Sequence, residues 1–207
     1  MLINMYMVGA LGTNCYLVSD EKSGDAMIVD PGDYDQGIAQ YITENGLHVK
    51  YIALTHGHFD HIGGISKFKS LYPEAIIAAG DREDEMLQKG PDPLQELVLS
   101  EGDKLTLGDL SLLVLETPGH TPGGLCFYIT EVDKRYEGKG LSGTVFSGDT
   151  LFQESVGRTD LGGGDFKTLK SSIREKLFTL PDNTMVLPGH MGATTIANEK
   201  QYNPFVR

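Results

Sequence analysis

The sequence predicts a mixed α/β fold in which β-sheets are sandwiched between layers of helix. Three observations carry that expectation. Apolar runs of strand length dominate both halves of the 207-residue chain. Each half also holds segments whose apolar residues recur at helical spacing, and several strands end in sharp loops. No linker or internal repeat breaks the pattern, so residues 1–207 are expected to form a single domain.

Residues 2–8, 14–19 and 26–30 are apolar or alternating runs separated by glycine-bearing turns, a meander of strands. A helix is expected over 33–45, where Ile38, Tyr41 and Ile42 share a face and Gly46 supplies a stop. A short buried strand follows at 49–54. Helical spacing returns at 64–72 through Ile65, Phe68 and Leu71 and stops at Pro73. Residues 75–79 read as a strand, and Asp81 can cap a short acidic helix. Around Pro91 and Pro93 the pattern is ambiguous. Strands are then expected at 105–107, 111–116, 125–130 and 144–147, with the charged stretch 131–143 as an excursion between the last two. The strongest helical pattern spans 166–180 through Leu169, Ile173, Leu177 and Phe178. A strand at 185–187 and a closing helix at 195–201 complete the chain.

Composition narrows the function. Seventeen basic against 29 acidic residues leave a net charge of −12. That balance argues against nucleic acid or an anionic membrane as the main partner, since both reward basic surface. Cys15 and Cys126 cannot make a disulfide framework and sit in apolar, strand-like runs, where free cysteine behaves as a small buried hydrophobe. The first basic residue is Lys22, so no basic leader opens the chain, and no apolar run reaches the roughly 20 residues of a membrane span. A cytoplasmic protein is expected. Glycine is in excess, 26 residues against a usual ~7%, without a collagen period, which points to sharp turns between regular elements.

Three of the six histidines fall within Thr55-His56-Gly57-His58-Phe59-Asp60-His61. Structural histidines scatter, because each must find its own partner. A His-x-His-x-Asp-His cluster leaving a strand is instead a ligand pattern, with imidazole and carboxylate suiting Zn²⁺, Fe or Mn. His120 in Thr117-Pro118-Gly119-His120 and His190 in Leu187-Pro188-Gly189-His190 repeat one design, a strand, a Pro-Gly turn and a histidine at its tip. Asp149, after Val145-Phe146-Ser147-Gly148, and Asp30, after Ile28-Val29, are carboxylates at strand ends. Such carboxylates also serve as turn formers, and only the company of the histidines marks these two. His48 has no motif around it and is expected to face solvent.

Together these residues, in this order, resemble the metallo-β-lactamase superfamily, and within it the short, single-domain glyoxalase II-like (hydroxyacylglutathione hydrolase-like) branch. The resemblance implies a four-layer αβ/βα sandwich of two mixed sheets flanked by helices, with a metal site at one edge. It assigns His56, His58 and His120 to one divalent ion and Asp60, His61 and His190 to a second, with Asp149 bridging both. Asp30 would orient the ligand loop from behind. Zinc is the first expectation for both ions, with iron or manganese as alternatives. Two ions about 3.5–4 Å apart bring a shared water toward a pKa of about 7, which suits hydrolysis of a small thioester such as S-lactoylglutathione without a Ser or Cys nucleophile. Asp60 and Asp149 are then the catalytic carboxylates, Asp60 orienting the nucleophile or accepting its proton. A thiolate leaving group needs no strong general acid, and none is evident.

Two departures keep alternatives open. Classical glyoxalase II enzymes carry a C-terminal helical domain, whereas this chain ends 17 residues after His190 (207 − 190). The stretch Gly157-Arg158-Thr159-Asp160 also resembles persulfide dioxygenases, which hold a single iron. A non-catalytic metal-binding module is the third reading. Arg158 is a candidate for holding a substrate carboxylate, but pairing with Asp160 is the favoured reading. The glycines at 162–164 lack the Lys-Ser/Thr of a phosphate loop. β-Lactam hydrolysis is not expected, since no signal peptide is visible. Oligomeric state has no signature in the sequence.

Overall fold

The computed structural model describes residues 1–83 and 94–206. Its first sheet contains, in spatial order, β1 (Leu2–Val8), β2 (Thr13–Ser19), β3 (Asp25–Val29), β4 (His48–Ala53), β5 (Ile76–Gly80) and β6 (Leu97–Leu99). The β1–β2 and β2–β3 pairs are antiparallel, and β3 through β6 run parallel. Parallel neighbours need crossovers, supplied by α1 (Gln36–Glu44) between β3 and β4 and by α2 (Phe59–Ile62) with α3 (Ile65–Leu71) between β4 and β5.

The second sheet is built from β7 (Lys104–Leu107), β8 (Leu110–Glu116), β9 (Leu125–Ile129), β10 (Thr144–Gly148), β13 (Met185–Pro188) and β14 (Thr194–Thr195), which succeed one another across it. Its one parallel pair among the described residues, β10 with β13, is spanned by α4 (Phe166–Glu175). The two-residue strands β11 (Leu151–Phe152) and β12 (Ser155–Val156) form a hairpin, and α5 (Ile196–Tyr202) closes the described chain.

Alternation along the strands makes the layers. On β2, Tyr16 and Val18 point inward with Met27, Leu112, Phe127 and Phe146 from both sheets. Cys15 and Leu17, one residue out of phase, point outward against Ile38, Ile42, Ile65 and Phe68. Cys126 and Val145 likewise leave the second sheet to meet Leu169, Ile173 and Ile196 of α4 and α5. Both sheets are therefore covered on both faces, giving the four-layer αβ/βα sandwich, the metallo-β-lactamase fold. Each fully buried Phe or Leu contributes on the order of 1.5–3 kcal/mol. Tyr16 and Phe146 meet edge to face with ring centroids 5.3 Å apart, locking one sheet to the other.

Several boundaries differ from the sequence reading for local reasons. The first helix starts at Gln36 because the carboxylate of Asp35 accepts the N–H groups of Gly37 and Ile38, at 2.7 and 3.3 Å. The helix expected over 166–180 ends at Glu175. Lys176, with φ −116°, breaks it, and Leu177–Thr179 continues as a 3-10 turn that still buries Leu177 in the same cluster. The excursion 131–143 holds a 3-10 turn, Lys134–Tyr136. Asp81–Glu83 form a 3-10 turn, and the rest of the acidic helix expected from Asp81, with Pro91 and Pro93, lies outside the described residues. Cys15 and Cys126 are free and buried, and His48 is exposed. Among the described residues no helix is long and apolar enough to cross a membrane.

Candidate metal centre

Five strand-end loops meet at one edge of the sandwich. Asp30 follows β3, His56 follows β4, His120 lies between β8 and β9, Asp149 follows β10 and His190 follows β13. Asp30 is in the left-handed region (φ 51°), which turns its carboxylate back beneath the β4 loop. There Asp30 accepts the backbone N–H of Thr55 at 2.7 Å and its hydroxyl at 2.6 Å. Its Oδ2 also lies 3.0 Å from His61 Nδ1. With that nitrogen donating, His61 Nε2 is left facing the cleft.

Three imidazoles converge first. His120 Nε2 lies 2.9 Å from His58 Nδ1 and 3.3 Å from His56 Nε2. His120 Nδ1 donates to the carbonyl oxygen of Arg158 at 2.7 Å, which directs its other nitrogen into this group. The second group is Asp60, His61 and His190. Asp60 Oδ2 is 3.2 Å from His190 Nε2 and 3.7 Å from His61 Nε2. Both groups have ligand atoms within 4.8 Å of one another. Asp149 stands between them, with Oδ1 3.4 Å from His61 Nε2 and Oδ2 3.6 and 3.7 Å from Nε2 of His120 and His190. Asp30, His56 and His61 are also close enough to share an ion. Asp30 differs from the other ligand candidates in that its two oxygens already accept hydrogen bonds from Thr55 and face His61 Nδ1.

The donor set fits metal ions. His61 Nε2 and Asp149 Oδ1 are buried without a hydrogen-bond partner, an expensive state for polar atoms unless a cation joins them. Burial pushes His56 well below the ordinary histidine range, and burial with the neighbouring His120 takes His58 to about 4, so both are neutral ligands at pH 7. Burial opposes a charge on His61, but Asp30 and Asp149 outweigh it and raise its pKa. These two carboxylates, one at each ring nitrogen, favour a positive charge on this imidazole, whether from a proton or a metal. Burial likewise opposes ionised Asp60, yet the hydrogen bond from His190 and the charge of His61 bring its pKa to about 2.

Glycines let these loops approach. A Cβ at Gly32 would lie 1.7 Å from the Asp60 carbonyl oxygen, and one at Gly189 2.4 Å from Asp149 Oδ1. The cleft over the ligands has a volume of about 430 Å³ and a rim of Leu11, Phe59, Phe152, Val156, Leu161 and Met191. A larger cleft of about 570 Å³ beside Met5, Asp133 and Met185 holds none of the histidines, so chemistry rather than size marks the site.

All seven sequence-proposed ligands meet here, with Asp30 behind them. Arg158 lies at the rim, but its guanidinium is exposed and paired in a fork with Asp160 at 2.7 and 2.8 Å. Sequence reasoning missed its carbonyl oxygen, which orients His120. It also missed Asn14 and Tyr16, which grip the 188–191 loop: Asn14 Nδ2 donates to the carbonyls of Pro188 and Met191, and Tyr16 O–H to Pro188. Glu83 escaped notice too. Only Thr55, beside the histidine cluster, left a local signal.

The chain belongs to the metallo-β-lactamase superfamily, whose family model matches residues 8–190. It is 37% identical to the probable metallo-hydrolase YqgX of Bacillus subtilis, covering 96% of this chain and 94% of that protein. It is 35% identical to the hydroxyacylglutathione hydrolase GloC of Haemophilus influenzae, over 100% and 98% of the two chains. Identity to the mitochondrial persulfide dioxygenase ETHE1 of Mus musculus is 33%, over 93% of this chain and 70% of that protein. Among solved structures, the BLEG-1 B3 metallo-β-lactamase superposes with a TM-score of 0.85 at 31% identity, covering 99% of each chain. TTHA1623 in a di-iron-bound form gives a TM-score of 0.78 at 33% identity, covering 98% of this chain and 99% of that one.

Proposed function

We propose that this protein is a binuclear metal-dependent hydrolase of the hydroxyacylglutathione hydrolase type, cleaving S-lactoylglutathione or a related small thioester. The observation that carries the reading is the pair of facing ligand groups, His56–His58–His120 and Asp60–His61–His190, with Asp149 between them. Likeness to GloC over the full length of both chains supports the substrate class, and likeness to a protein with a di-iron form supports the metal count. The ion pair, when bound, supplies an activated water and Lewis-acid stabilisation of negative charge.

The chain's own residues do the rest. Asp149 faces both groups and would serve as a ligand to either. Asp60, ionised at neutral pH and also 3.3 Å from the Thr13 hydroxyl, is fixed in orientation and suited to aligning the nucleophile. The apolar rim takes the uncharged part of the substrate and limits competing water. A thiolate departs without a proton donor, consistent with five imidazoles committed to ligand groups and support. A small-molecule substrate, rather than nucleic acid or membrane, also agrees with the net charge of −12.

Likeness to ETHE1 favours one second reading, a mononuclear iron persulfide dioxygenase. Purified, metal-loaded protein distinguishes them. Thiol release from S-lactoylglutathione without oxygen uptake is the expected result. Oxygen uptake on glutathione persulfide without thioester turnover would replace the proposal with the second reading, and inertness on both would leave a metal-binding module.

A further inference from the structure

The loops carrying His58 and His120 are coupled by a residue that contributes no ligand. Glu83 ends the turn after β5 and is fully buried. Its Oε2 accepts the N–H of Gly57 at 2.8 Å, and its Oε1 accepts the N–H of Gly123, also at 2.8 Å. Gly57 lies between His56 and His58, and Gly123 is three residues past His120. One carboxylate thus ties together the two loops that must bring three imidazoles to one point. The approach is close: a Cβ on Gly123 would lie 3.0 Å from Glu83 Cγ, and one on Gly80 would lie 2.4 Å from the Gly123 carbonyl oxygen.

The other ligand group is supported elsewhere. Asp60 and His61 sit on α2, and the chain just past it is tied to the β3 loop where Gly64 N–H donates to the Pro31 carbonyl at 2.8 Å. His61 is held by Asp30, and the His190 loop by Asn14 and Tyr16.

We propose that Glu83 is a positioning residue that sets the metal affinity of the His56–His58–His120 group and leaves that of Asp60–His61–His190 unchanged. Glutamine at this position keeps one acceptor oxygen and turns an amide N–H₂ toward the other backbone donor, so one loop is released. The inference rests on the metal-site reading, and the experiment separates the two.

Zinc affinity is measured by chelator competition on the full chain in two backgrounds, His190→Ala, which preserves the first group, and His58→Ala, which preserves the second. Glu83→Gln is expected to weaken zinc binding 10–100-fold in the first background, the usual range for a residue that orients a ligand, and by less than ~3-fold in the second. Glu83→Asp, with both oxygens on a shorter stem, should fall between wild type and glutamine, and it carries the test if Glu83→Gln does not fold. Equal weakening in both backgrounds marks a merely structural role and overturns the inference, as does no weakening in either. Failure of the chain with Glu83 intact to bind zinc would instead remove the metal-site reading on which it rests.

Discussion

Asp30 stands behind the two ligand groups. Its carboxylate accepts from Thr55 twice and faces His61 Nδ1, so it sets both the height of the ligand loop and the nitrogen His61 offers the cleft. Asp30→Asn puts an amide donor where three donors already converge. Metal affinity is expected to fall 10–100-fold with the secondary structure intact, read by chelator competition beside circular dichroism; unchanged affinity would show that His61 needs no such support. At this scale the sequence was informative where chemistry sits in one residue type and one short motif, as in His56 to His61. Asn14, Tyr16 and Glu83 were not legible, because their partners are backbone atoms, in Tyr16's case 172 positions away. A backbone donor or acceptor leaves no mark in residue type. Arg158 shows the converse: its side chain drew attention, while its carbonyl oxygen holds His120.

Among elements, the strand ends and the glycines between them fix the site. Gly157 follows the β11–β12 hairpin, and a Cβ there would lie 1.8 Å from the carbonyl oxygen of Asp149 and 3.1 Å from His120 Nδ1. The first of these atoms is backbone and cannot swing aside. Gly157→Ala is therefore expected to destabilise the fold by about 1–3 kcal/mol, the usual cost of overpacking, and to lower the metal content. Thermal denaturation with metal analysis checks both, and a variant matching wild type in each would show that the hairpin yields freely. Long strands and amphipathic helices were legible because their periods repeat over five or more residues. The two-residue strands β11, β12 and β14 are too short for a period to register. The break at Lys176 was hidden because Leu177 keeps the helical spacing even though the backbone departs from the helix.

For the whole molecule, the acidic surplus serves several ends. Asp133 shows one that is structural: nearly inaccessible to solvent, it accepts the Ile3 N–H at 2.8 Å and hydrogen bonds from Arg135, joining the first strand to the excursion beyond β9. Burial opposes its charge, but the Arg135 hydrogen bonds outweigh that and hold its pKa below the ordinary carboxylate value. The sign follows: its contribution is present above the unfolded value near pH ~4 and is lost as pH falls through the lower folded value. Asp133→Asn should cost about 1–3 kcal/mol at pH 7 and flatten the fall in stability below pH ~4, measured by urea unfolding across pH. A variant with the wild-type profile would remove Asp133 from acid lability. Two other carboxylates belong to the ligand groups, Asp60 within one and Asp149 between the two. Whether both groups bind metal is read from the number of metal ions per purified chain. Two are expected in the wild type and one each in His58→Ala and His190→Ala; a single ion in the wild type, retained in full by His190→Ala, would show that the two groups do not hold separate ions.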